Sequence, residues 1–326
     1  MPISSSSKEI GDAGPVRGIV AVMVVVVASS PTFTQRSEQT LPFAFNQGVA
    51  RVEGGWVFSG TNSPFPGTDV LERTDDDLNV ITTQPLPIPA MYRSQGYDHV
   101  GDIDIEGGVL YVPFEQPSYE LGHQVTARYD PTTLTFIDAV ELPQHENSFV
   151  TVDPSTMTAY SMDRFDGDTL LRYDVQAGWK PLPQLQLTMN LVHTQGADVA
   201  DGAVWIATSD DHNGVYRVDL ATGETTSVGT LGHLGLEGEG IDATALPSGA
   251  FHALVNNPVG ALSFFGHYDL TDAGAVQAPT GGSTSPSGSA PTTVLAASGG
   301  QRWSPWSMFG LLGFAGCAWR LLGRRP

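Results

Sequence analysis

The sequence predicts an all-β chain folded as a five-bladed β-propeller of four-stranded blades, and three observations carry that prediction. A segment made of Gly or Ser, a short alternating strand, a turn and a second strand starts at residues 48, 101, 148, 196 and 240. This period, about 48 residues, suits a propeller blade; leucine-rich repeats are shorter and a sandwich does not repeat so regularly. A second signature closes the third strand of each unit, as Arg128-Tyr129-Asp130, Arg172-Tyr173-Asp174 and Arg217-Val218-Asp219, with looser copies in "FGHYDLTDA" and "VLERTDDDL". Finally, 37 Gly and 23 Pro in 326 residues fit many short strands joined by turns.

Each blade is then read in order. The first two strands lie in "GVARVEGGWVFSGTN" (48–62), "GDIDIEGGVLYVPFE" (101–115), "SFVTVDPSTMTAYSMD" (148–163), "GADVADGAVWIATSD" (196–210) and "GIDATALPSGAFHALVNN" (240–257). The Asp of the second signature caps a turn into a fourth strand, as in "LTFIDAVELP" (134–143) and "ETTSVGTL" (224–231). The fifth unit has no good fourth strand of its own. "RSEQTLPFAFNQG" (36–48), which is similar to "DAVELPQHENS" (138–148), is expected to supply it. A ring closed by its leading strand pairs both terminal edges, and the propeller is placed at 36–278.

The two ends predict an address. Arg17 precedes the apolar run "GIVAVMVVVVA" and the small residues "SS", so 1–28 reads as a signal peptide, cleaved after Ala28 or retained as an anchor. Residues 279–302 form a Pro/Gly/Ser/Thr linker. Residues 303–326 read as a C-terminal transmembrane helix or sorting tail: Trp303 to Leu322 is long enough, at about 1.5 Å per residue, to cross a bilayer core. Trp303, Trp306 and Trp319 sit toward its edges, and Arg320, Arg324 and Arg325 mark the cytoplasmic end. The protein is therefore expected on the extracellular or periplasmic face, anchored by its tail. The single cysteine, Cys317, lies in that tail, so the exported body has no disulfide. A net charge of −20 repels phosphates and excludes nucleic acid as a partner.

In a propeller the first strand of each blade lines the channel, and residues just before first strands and just after second strands gather at one mouth. Those columns hold His99, His145, His193, Glu237 and Glu239 on one side and Glu115, Asp163, Asp210 and Asn256 on the other. Glu115, Asp163, Asp210, Glu237, Glu239 and Asn256 make an oxygen-rich set suited to Ca²⁺, with Zn²⁺ or Mn²⁺ brought in by histidine. His99, His145 and His193 are the candidate bases. The competing reading is a rim that is polar because strand ends meet water. Asp102, Asp104, Asp198 and Asp242 alternate toward the channel below. No G-x-S-x-G elbow, C-x-x-C, H-E-x-x-H or phosphate-cradling glycine loop is present.

The stretches "HVGDIDIEGGVLYVPFE", "QGADVADGAVWIATSDDHNGVYRVD" and "EGEGIDAT" resemble secreted bacterial propellers of the YVTN, SMP-30/gluconolactonase and quinoprotein-like group. "FNQGVARVEGGWVFSGTN" (45–62) is similar to the first-blade segment of the five-bladed glutaminyl cyclases, although of the Glu-Gly pairs which that likeness implies at later blades only Glu239-Gly240 is present. The expectation is a membrane-tethered, monomeric binding or scaffolding propeller for a small polar ligand or an extracellular protein. The alternative is a metal-dependent hydrolase, lyase or cyclase, lactonase-like or glutaminyl-cyclase-like, working at the same mouth.

Overall fold

The computed structural model describes residues 32–42, 44–61, 68–116, 122–163, 167–257 and 262–271. It is a ring of five antiparallel sheets. The chain begins with β1 (Thr32–Pro42) and then lays down blade 1 as β2 (Gly48–Val52), β3 (Gly55–Thr61), β4 (Asp69–Asp75) and β5 (Val80–Pro85). A single helical turn, α1 (Ala90–Arg93), leads to blade 2, whose inner strand is split into β6 (His99–Val100) and β7 (Asp104–Glu106), followed by β8 (Val109–Glu115), β9 (Gln124–Tyr129) and β10 (Phe136–Leu142). Blade 3 holds β11 (Thr151–Asp153), β12 (Thr158–Ser161), β13 (Gly167–Asp174) and an outer strand divided into β14 (Lys180–Pro181) and β15 (Leu185–Leu191). Blade 4 is β16 (Thr194–Ala200), β17 (Ala203–Thr208), β18 (Gly214–Asp219) and β19 (Thr225–Thr230). Blade 5 is β20 (Glu237–Asp242), β21 (Ala250–Asn257), β22 (Leu262–Thr271) and, as its outer strand, β1.

The ring therefore closes with the N-terminal strand, which begins at Thr32, ahead of the expected residue 36. β1 runs antiparallel to β22 from Thr32↔Thr271 to Pro42↔Leu262, with a bulge between Gln35 and Ser37. Phe33 stacks on Tyr268 with centroids 4.6 Å apart, and Glu38 meets His233 of the preceding loop at 2.6 Å.

The two repeated signatures have separate physical causes. The Asp of the second one makes the turn between third and fourth strands. Asp130 Oδ1 accepts from the N–H groups of Thr132 (2.9 Å) and Thr133 (2.7 Å), and Asp219 Oδ1 does the same for Ala221 (3.1 Å) and Thr222 (3.0 Å). The Gly or Ser that opens each repeat segment sits where the five inner strands converge, and at the glycines a side chain has no room. A Cβ on Gly101 would lie 2.1 Å from Ser148 O, and one on Gly240 would lie 2.4 Å from Asp102 Oδ1.

The core is divided among the clefts between blades, as alternation on two-sided sheets demands. Leu71, Ile103 and Leu110 fill the first cleft; Tyr111, Val150 and Trp179 the second; Phe149, Tyr160 and Ile206 the third. Trp205, Phe251 and Tyr268 fill the fourth, and Val49, Trp56 and Phe265 pack where blade 5 meets blade 1. The predicted signal peptide at 1–28, the linker at 279–302 and the anchor at 303–326, with Cys317, lie outside the described residues. Among the described residues no helix is long and apolar enough to cross a membrane.

Candidate functional site

One side chain ties the inner strands together around the axis of the ring. Asp102 is 1% exposed, and its carboxylate takes backbone N–H groups from three other blades. Oδ1 accepts from Val49 at 3.2 Å, and Oδ2 from Ala197 at 3.0 Å and Ile241 at 3.3 Å. Ile103 N–H adds a fourth donor at 3.0 Å, and Asp102 N–H itself donates to Ser148 O of blade 3 at 2.8 Å. All five inner strands are tied at this point. Burial pushes the Asp102 carboxyl well above its ordinary value, against the four N–H groups that pull it down.

A second belt lies alongside. Inner strands of a propeller are sheet edges, so their outward N–H groups need partners. Val152 N–H is taken by Asp104 at 2.7 Å, Val199 N–H by the Thr151 hydroxyl at 3.1 Å, Ala243 N–H by Asp198 at 2.6 Å and Arg51 N–H by Asp242 at 2.8 Å. Each acceptor belongs to the blade before its donor. The four aspartates that the alternation aims toward the channel are thus inter-blade ties, and burial pushes Asp104 and Asp198 up from the carboxylate range.

Above this floor lies the mouth. His99 stands directly opposite Glu115 across β6 and β8, and Glu115 Oε1 accepts Asn147 N–H of blade 3 at 2.7 Å. Asp163 Oδ1 accepts Glu146 N–H at 3.3 Å. Glu237 stands opposite Asn256 on blade 5, and Glu239 is buried beside blade 4, where a Cβ on Gly196 would lie 2.6 Å from its carbonyl oxygen. Gly240 N–H reaches Gln47 O of blade 1 at 2.8 Å. The structure thus brings His99, Glu115 and Asn147 together, and places Glu237, Glu239 and Asn256 at the opposite flank of the ring. His145 and His193 are exposed at the rim; the His145 carbonyl takes the Gln124 side chain, and His193 has a positive φ of 55° with its carbonyl on Ser209 N–H. Asp210 is bound into its own hairpin by His212 N–H (2.9 Å), Gly214 N–H (3.2 Å) and the Tyr216 hydroxyl (3.1 Å). Burial raises its carboxyl, but these bonds outweigh burial and hold it below its ordinary value.

Buried oxygens on the mouth side with no hydrogen-bond partner among the described residues include Asn256 Oδ1, Gln116 Oε1, Thr194 Oγ1 and, opposite Asn256, Ser263 Oγ. The sequence reading also missed a carboxyl. Asp69 opens the third strand of blade 1, is 4% exposed, and is pushed up to about 7 by burial and by Asp98 beside it. Its signal was its place just after the loop that joins the second and third strands, on the mouth side. Among the described residues no three His, Cys, Asp or Glu side chains are grouped to hold a metal ion.

No family model matches the chain, and no curated protein sequence matches it. Among solved structures, glutaminyl cyclase from Myxococcus xanthus is similar over 74% of this chain and 99% of that one, with a TM-score of 0.54 and 14% identity. The Dos1 propeller matches with a TM-score of 0.38 and 12% identity over 69% of this chain and 68% of that one. The Pan2 WD40 domain from Neurospora crassa matches with a TM-score of 0.36 and 6% identity over 68% and 62%. What the glutaminyl cyclase shares with the chain is the propeller fold. The likeness to the YVTN and SMP-30 group has no counterpart in a family match.

Proposed function

We propose that this propeller is a binding module whose mouth takes a small polar organic ligand carrying ammonium or amide N–H groups. The observation that carries the reading is the set of buried, unpartnered acceptors, Asn256 Oδ1, Gln116 Oε1 and Thr194 Oγ1, in a mouth otherwise rich in carboxylates. A buried acceptor without a donor costs about 1–3 kcal/mol, and a ligand N–H recovers it. The carboxylates of Glu115, Asp163 and Asp210 already accept protein N–H groups, which favours an organic ligand over the Ca²⁺ that the residue types alone suggest. The test is a thermal-shift titration of the full chain with putrescine, arginine amide and a glutaminyl dipeptide. At least one should raise Tm in the wild type and fail to do so in Asn256→Leu and Glu239→Gln. A flat response to all three in the wild type would remove the reading.

A second reading is supported by one specific feature. A carboxyl poised near neutrality at Asp69, close in space to Asp98 although 29 residues from it in sequence, is the kind of group that moves a proton at pH 7, and the Myxococcus xanthus glutaminyl cyclase has the same fold. In this form the mouth cyclises N-terminal glutamine, and ammonia release from a glutaminyl peptide should disappear in Asp69→Asn. We further propose that the body is exported and held at a membrane by residues 303–326; removing them should release the protein from membranes.

A further inference from the structure

Blade 5 breaks the repeat at one row of side chains. In blades 2, 3 and 4 the second and third strands set an aromatic residue opposite an arginine: Tyr111 with Arg128, Tyr160 with Arg172 and Trp205 with Arg217. In blade 1 the row sets Trp56 opposite Thr74, and in blade 5 it sets His252 opposite His267. It continues to Asp242 on the inner strand and to Ser37 on the closing strand, so that Asp242, His252, His267 and Ser37 cross all four strands on one face. The row borders a hollow of about 330 Å³ lined by Arg36, Ser37, Ala250, His252, His267 and Tyr268. It lies at the end of the blade away from the mouth, since Asp242 closes β20 and Glu237 opens it.

We propose that this row binds a divalent transition cation of the Zn²⁺ or Cu²⁺ class through the imidazoles of His252 and His267. The ring centroids are 5.1 Å apart with planes at 84°. Two imidazoles sharing a tetrahedral ion, each with a metal–nitrogen distance of about 2.0–2.1 Å, place their centroids about 5 Å apart. Asp242 Oδ1 lies 3.5 Å from His252 Nδ1, and this nitrogen is buried with no hydrogen-bond partner among the described residues. Asp242 is itself fixed by Arg51 N–H at 2.8 Å and the Thr244 hydroxyl at 2.9 Å. A carboxylate held behind a ligating imidazole orients the ring and raises its basicity. Imidazole suits Zn²⁺, Cu²⁺ and Ni²⁺, the hollow has room for the waters that complete the coordination, and a net charge of −20 concentrates cations around the chain. Arg36 is the opposing charge. It lines the hollow and acts on His267, but its side chain is 68% exposed and Asp269 at 3.7 Å partly offsets its charge.

The experiment is a titration of the full chain, stripped with chelator, with Zn²⁺ by calorimetry and with Cu²⁺ by electron paramagnetic resonance. The wild type should bind one equivalent that the double variant His252→Tyr with His267→Arg lacks; this variant writes in the aromatic–arginine pairing of blades 2 and 3. His267→Gln alone should weaken that equivalent at least tenfold, Arg36→Gln should tighten it, and Glu239→Gln at the mouth should leave it unchanged. The Cu²⁺ spectrum should show coupling to two nitrogens. Equal metal binding in wild type and in His267→Gln, or a wild-type spectrum without nitrogen coupling, would overturn the site, and the spectrum decides even where a variant fails to fold.

Discussion

At the waist of the ring both oxygens of Asp102 are occupied by backbone N–H groups drawn from blades 1, 2, 4 and 5. On the mouth side of the blades, Asn256 Oδ1, Gln116 Oε1 and Thr194 Oγ1 are buried and lack such donors among the described residues. The two regions are built from similar polar side chains in similar burial, and they differ in whether the protein itself completes them. Completed polar groups specify the ring and rigidify it; incomplete ones hold a stability cost that a ligand or an ordered water removes. The contrast assigns the inner-strand aspartates to architecture, and only the mouth to the recognition proposed above.

The sharpest way to break this contrast is to remove the hub. Asp102→Ala strands four buried N–H donors from four inner strands and should cost about 3–5 kcal/mol of unfolding free energy by urea denaturation. Asp102→Asn keeps one carbonyl acceptor and should cost roughly half of that. An equivalent loss from Asn256→Leu at the mouth would mean that the two regions are not different in kind.

The next effect separates the regions by pH. Asp69 ionises at about 7 in the folded chain against an ordinary value of 3.8, chiefly through burial and then through Asp98. Between those values the folded state holds a proton that the unfolded chain has released, so the Asp69 contribution to stability is intact at low pH and declines as pH rises toward 7. The integrated change is up to about 4 kcal/mol. Asp69→Asn cannot titrate. Its stability should exceed that of the wild type at pH 8, and the two should converge near pH 4; parallel curves across that range would show that Asp69 is not the source. Smaller again is Gly240→Ala, whose Cβ would lie 2.4 Å from Asp102 Oδ1. Overpacking of this kind costs about 1–3 kcal/mol.

The parts of the fold that short-range chemistry dictates were legible in the sequence. The glycine opening each inner strand, the Asp of each third-strand turn and the missing fourth strand of the last unit pointed to blades and to the closing strand at Thr32–Pro42. The hub was written there less openly. At its position in the repeat the other blades carry Val49, Phe149, Ala197 and Ile241, and Asp102 is the one polar residue in that column. Its role depends on donors far away in sequence, such as Ile241 N–H, which no local pattern reveals. Asp69 was hidden because its raised ionisation comes chiefly from burial and then from Asp98, and both depend on how the folded blades sit together. "FGHYDLTDA" was readable as a loose copy of the arginine signature, but that its His267 faces His252 required the register of β21 and β22.

The smallest effect tests whether a glycine matters for what surrounds it or for its own backbone. Asp201 and Gly202 form the two-residue connection between β16 and β17, with φ of 51° and 70°, and Ala200 pairs with Ala203 across it. Both positive angles identify a hairpin turn whose twist matches the strands it joins. No atom lies within 4 Å of a Cβ built on Gly202, so Gly202→Ala meets no clash and pays only the left-handed penalty of an L-residue, about 1 kcal/mol. Asparagine tolerates that conformation better than alanine, so Gly202→Asn should recover part of the loss. At position 240 the order should invert, because there the obstacle is Asp102 and a larger side chain is worse. Measuring Ala and Asn at both positions by thermal melting separates a backbone requirement from a packing one: Asn better than Ala at 202, and Asn worse than Ala at 240.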